Sequence, residues 1–121
     1  MTVKSRPLEN VVSNPPAAAG SQVAAPSLDT VGADRGDAGA TLTWGVSDHY
    51  QRWATTLTGN RTVTLSSTGA VNGAWFWVTR TGLGAFTLDV GGLKTIPSAT
   101  AAWVLVVHDG TAWRLMGYGT L

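Results

Sequence analysis

The stretch Ala101–Gly119, AAWVLVVHDGTAWRLMGYG, constrains the fold more than any other part of the chain. Two apolar runs flank Asp109-Gly110, a dipeptide that accepts the positive φ of a tight hairpin turn. The runs are rich in Val and Trp, which favour the pleated backbone of a strand. The same grammar repeats upstream. ATLTWGV (from Ala40), YQRWATTL, RTVTLS, AWFWVTRT, AFTLDV and GGLKTIP are short β-type runs parted by turn-like TGN and GLG. No segment carries a helical period. Together these make about eight short strands in roughly 80 residues, the pattern of an all-β domain. The expectation is a single β-sandwich, jelly-roll-like, of short antiparallel strands.

Aromatic residues mark where that domain starts. All ten lie between Trp44 and Tyr118. The segment before them holds Pro7, Pro15, Pro16 and Pro26 with short Ala and Gly runs, a composition that resists helix and buries little area. The chain therefore divides into an extended Pro/Ala-rich arm, residues 1–38, and a β-sandwich domain, residues 39–121. Within the arm, LENVV and SLDTV offer anchoring side chains: Leu8, Val11, Val12, Leu28 and Val31.

Composition narrows the function classes. Only 12% of the 121 residues are charged, about half the usual share, which leaves few groups to solvate a free surface. The formal net charge of +1 supplies no basic field for nucleic acid. Arg52, Arg61, Arg80 and Arg114 are scattered rather than clustered, against a single-strand binding groove. Cysteine is absent, which rules out disulfides and thiolate chemistry. No run approaches the roughly 18 apolar residues of a membrane span, and the first twenty residues lack the apolar core of an export signal. Synthesis in the cytosol without export is the simplest expectation.

Catalytic motifs are not evident. His49 and His108 each adjoin an aspartate, but neighbours on a strand face opposite ways, so neither His-Asp dipeptide is a catalytic pair. There is no G-x-S-x-G elbow and no phosphate-cradling glycine loop. The seven acidic residues are spread widely. Neither catalytic residue, cofactor nor metal site is expected. Arg35-Gly36-Asp37 reads as a polar hinge between arm and domain, and Asn60-Arg61-Thr62 as an unused glycosylation triplet.

The tryptophans carry the binding hypothesis. In AWFWV, alternation gives Trp75 and Trp77 one face and Phe76 and Val78 the other, so both faces are apolar. Phe76 and Val78 are read as core. Trp75 and Trp77, with Trp44 and Trp53, are read as a subunit interface, and Arg80 as a hydrogen-bonding group at its rim. The competing reading is a platform for sugar rings, which needs polar neighbours that this stretch lacks.

The run RTVTLSSTGAVNGAWFWVTRTGLGAFTLDVGGLKTI, followed by VVHDGTAWRLMGYGTL, resembles small structural proteins of tailed-bacteriophage virions, the capsid decoration (cement) proteins and some fibre-like proteins. The likeness covers residues 39–121. It implies a non-enzymatic, self-associating β-domain on the capsid surface of the virion, made in the bacterial host cytoplasm. Its implied partners are the major capsid protein and further copies of itself, as a trimer in the first place or a dimer, with neither nucleic acid nor membrane involved. At about 3.3 Å per residue the arm could span more than about 100 Å and reach a neighbouring capsomer. The alternative within the same likeness is a fibre or tail module that binds host glycans through exposed tryptophans.

Overall fold

A computed structural model of the chain describes residues 31–121. The arm residues Leu8, Val11, Val12 and Leu28 lie outside the described residues. Nine strands follow in order: β1 (Val31–Asp34), β2 (Ala40–Leu42), β3 (Tyr50–Trp53), β4 (Arg61–Leu65), β5 (Trp75–Arg80), β6 (Leu88–Val90), β7 (Lys94–Ile96), β8 (Ala102–His108) and β9 (Trp113–Thr120). They form a five-stranded sheet in the order β9-β8-β5-β3-β1 and a four-stranded sheet in the order β2-β4-β6-β7. The all-β expectation holds, and each of the eight β-type runs contains a strand.

Two expectations need correction. Antiparallel pairing joins β9 to β8, β8 to β5 and β6 to β7, but the other four ladders are parallel. From β1 to β6 successive strands alternate between the two sheets, so the chain winds like a short solenoid before its last strands reverse. Parallel neighbours arise because each strand lies beside the strand two earlier, reached through a crossover. The domain also starts earlier than residue 39. Val31–Asp34 is already in the sheet beside β3, and Asp37, in the supposed hinge, accepts from the Thr58 N–H and from Arg61 Nε, both at 3.0 Å.

Packing follows the period of two. Along β5 the residues alternate half-buried and buried, which sends Phe76, Val78 and Arg80 inward. Phe76 and Val78 meet Trp53, Val104 and Val106 of their own sheet and Leu42, Val63, Leu88, Val90 and Ile96 of the other in one core. Phe76 and Val78 are fully buried, as alternation predicts. The β8–β9 hairpin closes at Asp109, whose carboxylate accepts from the N–H groups of Thr111 and Ala112 at 2.8 Å each. Gly110 takes φ +94°, the conformation for which the turn needs glycine.

Removing the Phe76 ring should leave a cavity between the sheets. Phe76→Ala is expected to destabilise the fold by about 3–5 kcal/mol. Thr64→Ala, on the outer surface of the smaller sheet, should stay within about 0.5 kcal/mol of the parent. Urea unfolding followed by circular dichroism checks both.

Candidate functional site

The side chains that β5 sends outward begin the site. Trp75 and Trp77 are half-buried on the outer face of the five-stranded sheet. Antiparallel register sets Trp75 beside Val107 and Trp77 beside Leu105 on β8. Parallel register sets Tyr50 of β3 beside Trp77. These residues and Gly73 line a shallow groove of about 500 Å³. The Tyr50 hydroxyl and the two indole N–H groups are the polar side-chain groups among them.

Aromatic contacts fix the walls. The Tyr50 ring meets Trp75 edge to face, with centroids 5.2 Å apart. Trp77 stacks on Trp103 at 4.8 Å and 12°. Trp103 in turn lies across Gly117 and Gly119 of β9, where an added Cβ would come within 3.2 Å and 2.8 Å of the indole. The two glycines are what allow the ring to lie flat on the edge strand. The result is an aromatic sheet surface that runs from β3 to β9.

Several polar groups around the groove are engaged by the protein itself. Arg52 Nε donates to the Gly32 carbonyl at 3.1 Å, and Thr79 Oγ1 to the Gln51 carbonyl at 3.2 Å. The Arg114 guanidinium pairs with Asp109 at 2.7 Å. Its bond and those of the turn amides hold the Asp109 carboxyl well below the ordinary carboxylate range, the turn amides first. The opposite surface of the molecule has a different chemistry. The outer face of the four-stranded sheet presents Thr41, Thr62, Thr64, Asp89 and Thr95. One outer face is aromatic and the other threonine-rich.

Of the five residues assigned to an interface from the sequence, Trp75 and Trp77 reach this face. Trp53 does not. It is fully buried, and its indole N–H donates to the Ala38 carbonyl at 2.8 Å. Arg80 is also fully buried rather than at a rim, because the parity that turns Phe76 and Val78 inward turns Arg80 with them. Its Nε donates to the Gly82 carbonyl at 2.8 Å and one Nη to the Pro97 carbonyl at 3.0 Å. Its other Nη has no partner, and burial pushes its ionisation down. Arg80 thus clamps two loops from inside the domain rather than standing at its surface. Trp44 leaves the strand pattern for a turn, half-buried and stacked on His49 at 4.3 Å and 8°.

Tyr50, Trp103, Leu105, Val107, Gly117 and Gly119 were not singled out from the sequence. The alternation in AAWVLVVH already places Trp103, Leu105 and Val107 on one face. Their meeting with Trp75 and Trp77 depends on which strands pair.

His49 ties the face to the interior. Its ring is nearly fully buried, touches Trp75 at a centroid distance of 5.0 Å and Phe76 at 6.1 Å, and leaves Nδ1 without a hydrogen bond. Burial lowers its pKa, against a smaller opposing pull from Asp48. His108, at the end of β8, accepts the Gly110 N–H on Nδ1 at 3.1 Å. Among the described residues no group of three or more His, Cys, Asp or Glu is placed to hold a metal ion. No described helix is long and apolar enough to cross a membrane. Comparisons with protein families, curated proteins and solved structures find no match.

The buried His49 carries a pH prediction. Its folded pKa lies below the unfolded value of about 6.5, so the unfolded chain binds the proton more readily. Its contribution is complete above the unfolded pKa and is lost as the pH falls below about 6.5 toward the depressed folded value. His49→Phe should flatten this part of the stability profile, read from urea midpoints at a series of pH values.

Proposed function

We propose that this chain is a structural subunit of a phage virion, a capsid decoration protein. Copies associate through the aromatic outer face of the five-stranded sheet and hold neighbouring major capsid subunits together. The observation that carries the proposal is the difference between the two outer faces. Water solvates a threonine surface readily, whereas a groove walled by Tyr50, Trp75 and Trp77 with an aliphatic floor gains by being covered. Trp and Tyr concentrate binding energy at such centres, and burying their area is worth about 25 cal/mol per Å² before the costs of association.

The sequence likeness to virion proteins spans both sheets. RTVTL is β4, WFWVTR is β5, LDV is β6, and VVHDGTAWR runs from β8 into β9. A role of this kind requires no catalysis. Repeated around a shell, individually weak contacts hold through avidity.

The groove also supports a second reading, a fibre or tail module that stacks host glycans on Trp75 and Trp77. Three aromatic walls favour it. Beyond the Tyr50 hydroxyl and the indole N–H groups the lining holds no polar side chain, and Arg52 Nε and Thr79 Oγ1 are bonded to backbone carbonyls, which favours protein contact instead.

Self-association measured by light scattering tests the proposal. The parent should form an oligomer that Trp77→Ala weakens at least ~10-fold, consistent with a central aromatic contact worth about 2 kcal/mol. A parent that stays monomeric, together with glycan binding abolished by Trp75→Ala or Trp77→Ala, would overturn it. Hundreds of copies per virion would fit decoration, and a few dozen a fibre or tail.

A further inference from the structure

The five-stranded sheet is one strand wider than the sheet it packs on, and β9 and β7 are the edge strands on one side. Between these two edges lies a cavity of about 280 Å³. Strand parity explains how it is built. Tyr118 pairs with Val104 and Thr120 with Ala102, so both point toward the inside of the sandwich. Lys94 pairs with Val90 and shares the inner face of β7 with Ile96. Tyr118 is nevertheless 57% exposed, because no strand of the smaller sheet lies beyond β7 to cover it. Ile96, Pro97, Ala102 and Val104 supply apolar walls. At the mouth, the Lys94 ammonium stands 4.0 Å from the centre of the Tyr118 ring, a cation–π contact that joins the two edges.

Charge at this cavity is of one sign. Lys94 is the charged side chain of the lining, and it forms no ion pair with another described residue. Asp89, which pairs with the adjacent Thr95, points to the opposite face of its sheet. There its carboxylate accepts from the Thr95 hydroxyl and the Gly92 N–H, both at 2.9 Å. A second cation adjoins the walls. Arg80 pairs with Ala102 in the ladder and donates to the Pro97 carbonyl at 3.0 Å. An apolar interior with one cation at its mouth and another behind its wall suits an apolar body that carries an anionic head.

We propose that the cavity between β7 and β9 binds a small amphipathic carboxylate. Its hydrocarbon body lies against Ile96 and Val104, and its head group lies on the Lys94 ammonium. Lysine offers three N–H donors, so the ammonium can keep the Tyr118 ring on one side and bond a carboxylate on another. Size limits the body. An apolar cavity of about 150 Å³ takes up benzene, so about 280 Å³ holds roughly ten non-hydrogen atoms, the size of octanoate. This site lies within the edge of the sandwich, whereas the aromatic groove is on the outer face. The two readings therefore stand independently.

Calorimetric titration of the full chain with octanoate tests the site, with butyrate, 1-octanol and octylammonium as comparison probes. Octanoate should saturate one site and bind at least ~10-fold more tightly than butyrate, whose short body leaves the walls uncovered. Lys94→Gln should weaken octanoate at least ~10-fold and leave 1-octanol within about twofold of the parent. Lys94→Glu should invert the preference, so that octylammonium binds more tightly than octanoate. In methyl NMR spectra of the parent, octanoate should shift Ile96 and Val104 and leave Leu105 and Val107 of the outer face in place.

No saturable binding of octanoate at millimolar concentration overturns the proposal, as do shifts confined to Leu105 and Val107. Equal octanoate affinity in the parent and Lys94→Gln does the same, and so does a Lys94→Glu chain that still prefers octanoate. The titration and spectra of the parent decide the matter even where a variant fails to fold.

Discussion

The parallel ladder between β3 and β5 is the contact on which the other features depend. It sets Tyr50 beside Trp77, Gln51 beside Val78, Arg52 beside Thr79 and Trp53 beside Arg80. One residue of slip would exchange the two faces of the strand, exposing the inward set and burying the outward one. With the register as it is, Trp53 and Val78 join the core, while Tyr50 and Trp77 become neighbours on the outside. The core and the aromatic outer face are therefore two sides of one ladder. A change that disturbs the ladder would affect the core and the outer face together.

The two sides also communicate through rings. Tyr50 touches Trp75, Trp75 touches His49, His49 stacks on Trp44, and both His49 and Trp44 reach Phe76. Phe76 meets Trp113, which meets His108 at the β8–β9 turn. A packed aromatic sequence of this kind is stiff, because each ring is held on several sides. The groove walls are thus braced from inside, which suits a preformed contact surface.

What could be read from the sequence was local. The eight runs with β-type composition each contain a strand, the Asp109-Gly110 turn is where it should be, and alternation placed Phe76 and Val78 in the core. Pairing direction was not legible, since a short strand carries no mark of which neighbour it will join. That gap led to the antiparallel expectation. Trp53 was misplaced because tryptophan content alone does not distinguish core from surface. Arg80 was misplaced because its charge outweighed its parity, which already put it with Phe76. β1 was missed because VGAD has neither aromatic residues nor sustained alternation. It is held largely by its neighbour, through the Arg52 bond to Gly32 and the Asp34 carboxylate bond to Ala54 N–H.

The mixture of parallel winding and a terminal hairpin also shapes how such a chain finds its structure. The β8–β9 hairpin turns within a few residues and can form in about 1–10 μs. The β3–β5 ladder joins groups such as Gln51 and Thr79, 28 residues apart, and the loop between them must close before any bond rewards it. The winding of the coils thus carries the larger loop-closure cost. In the folded chain the hairpin gives β5 its antiparallel neighbour, so the local and the long-range pairings meet along that one strand.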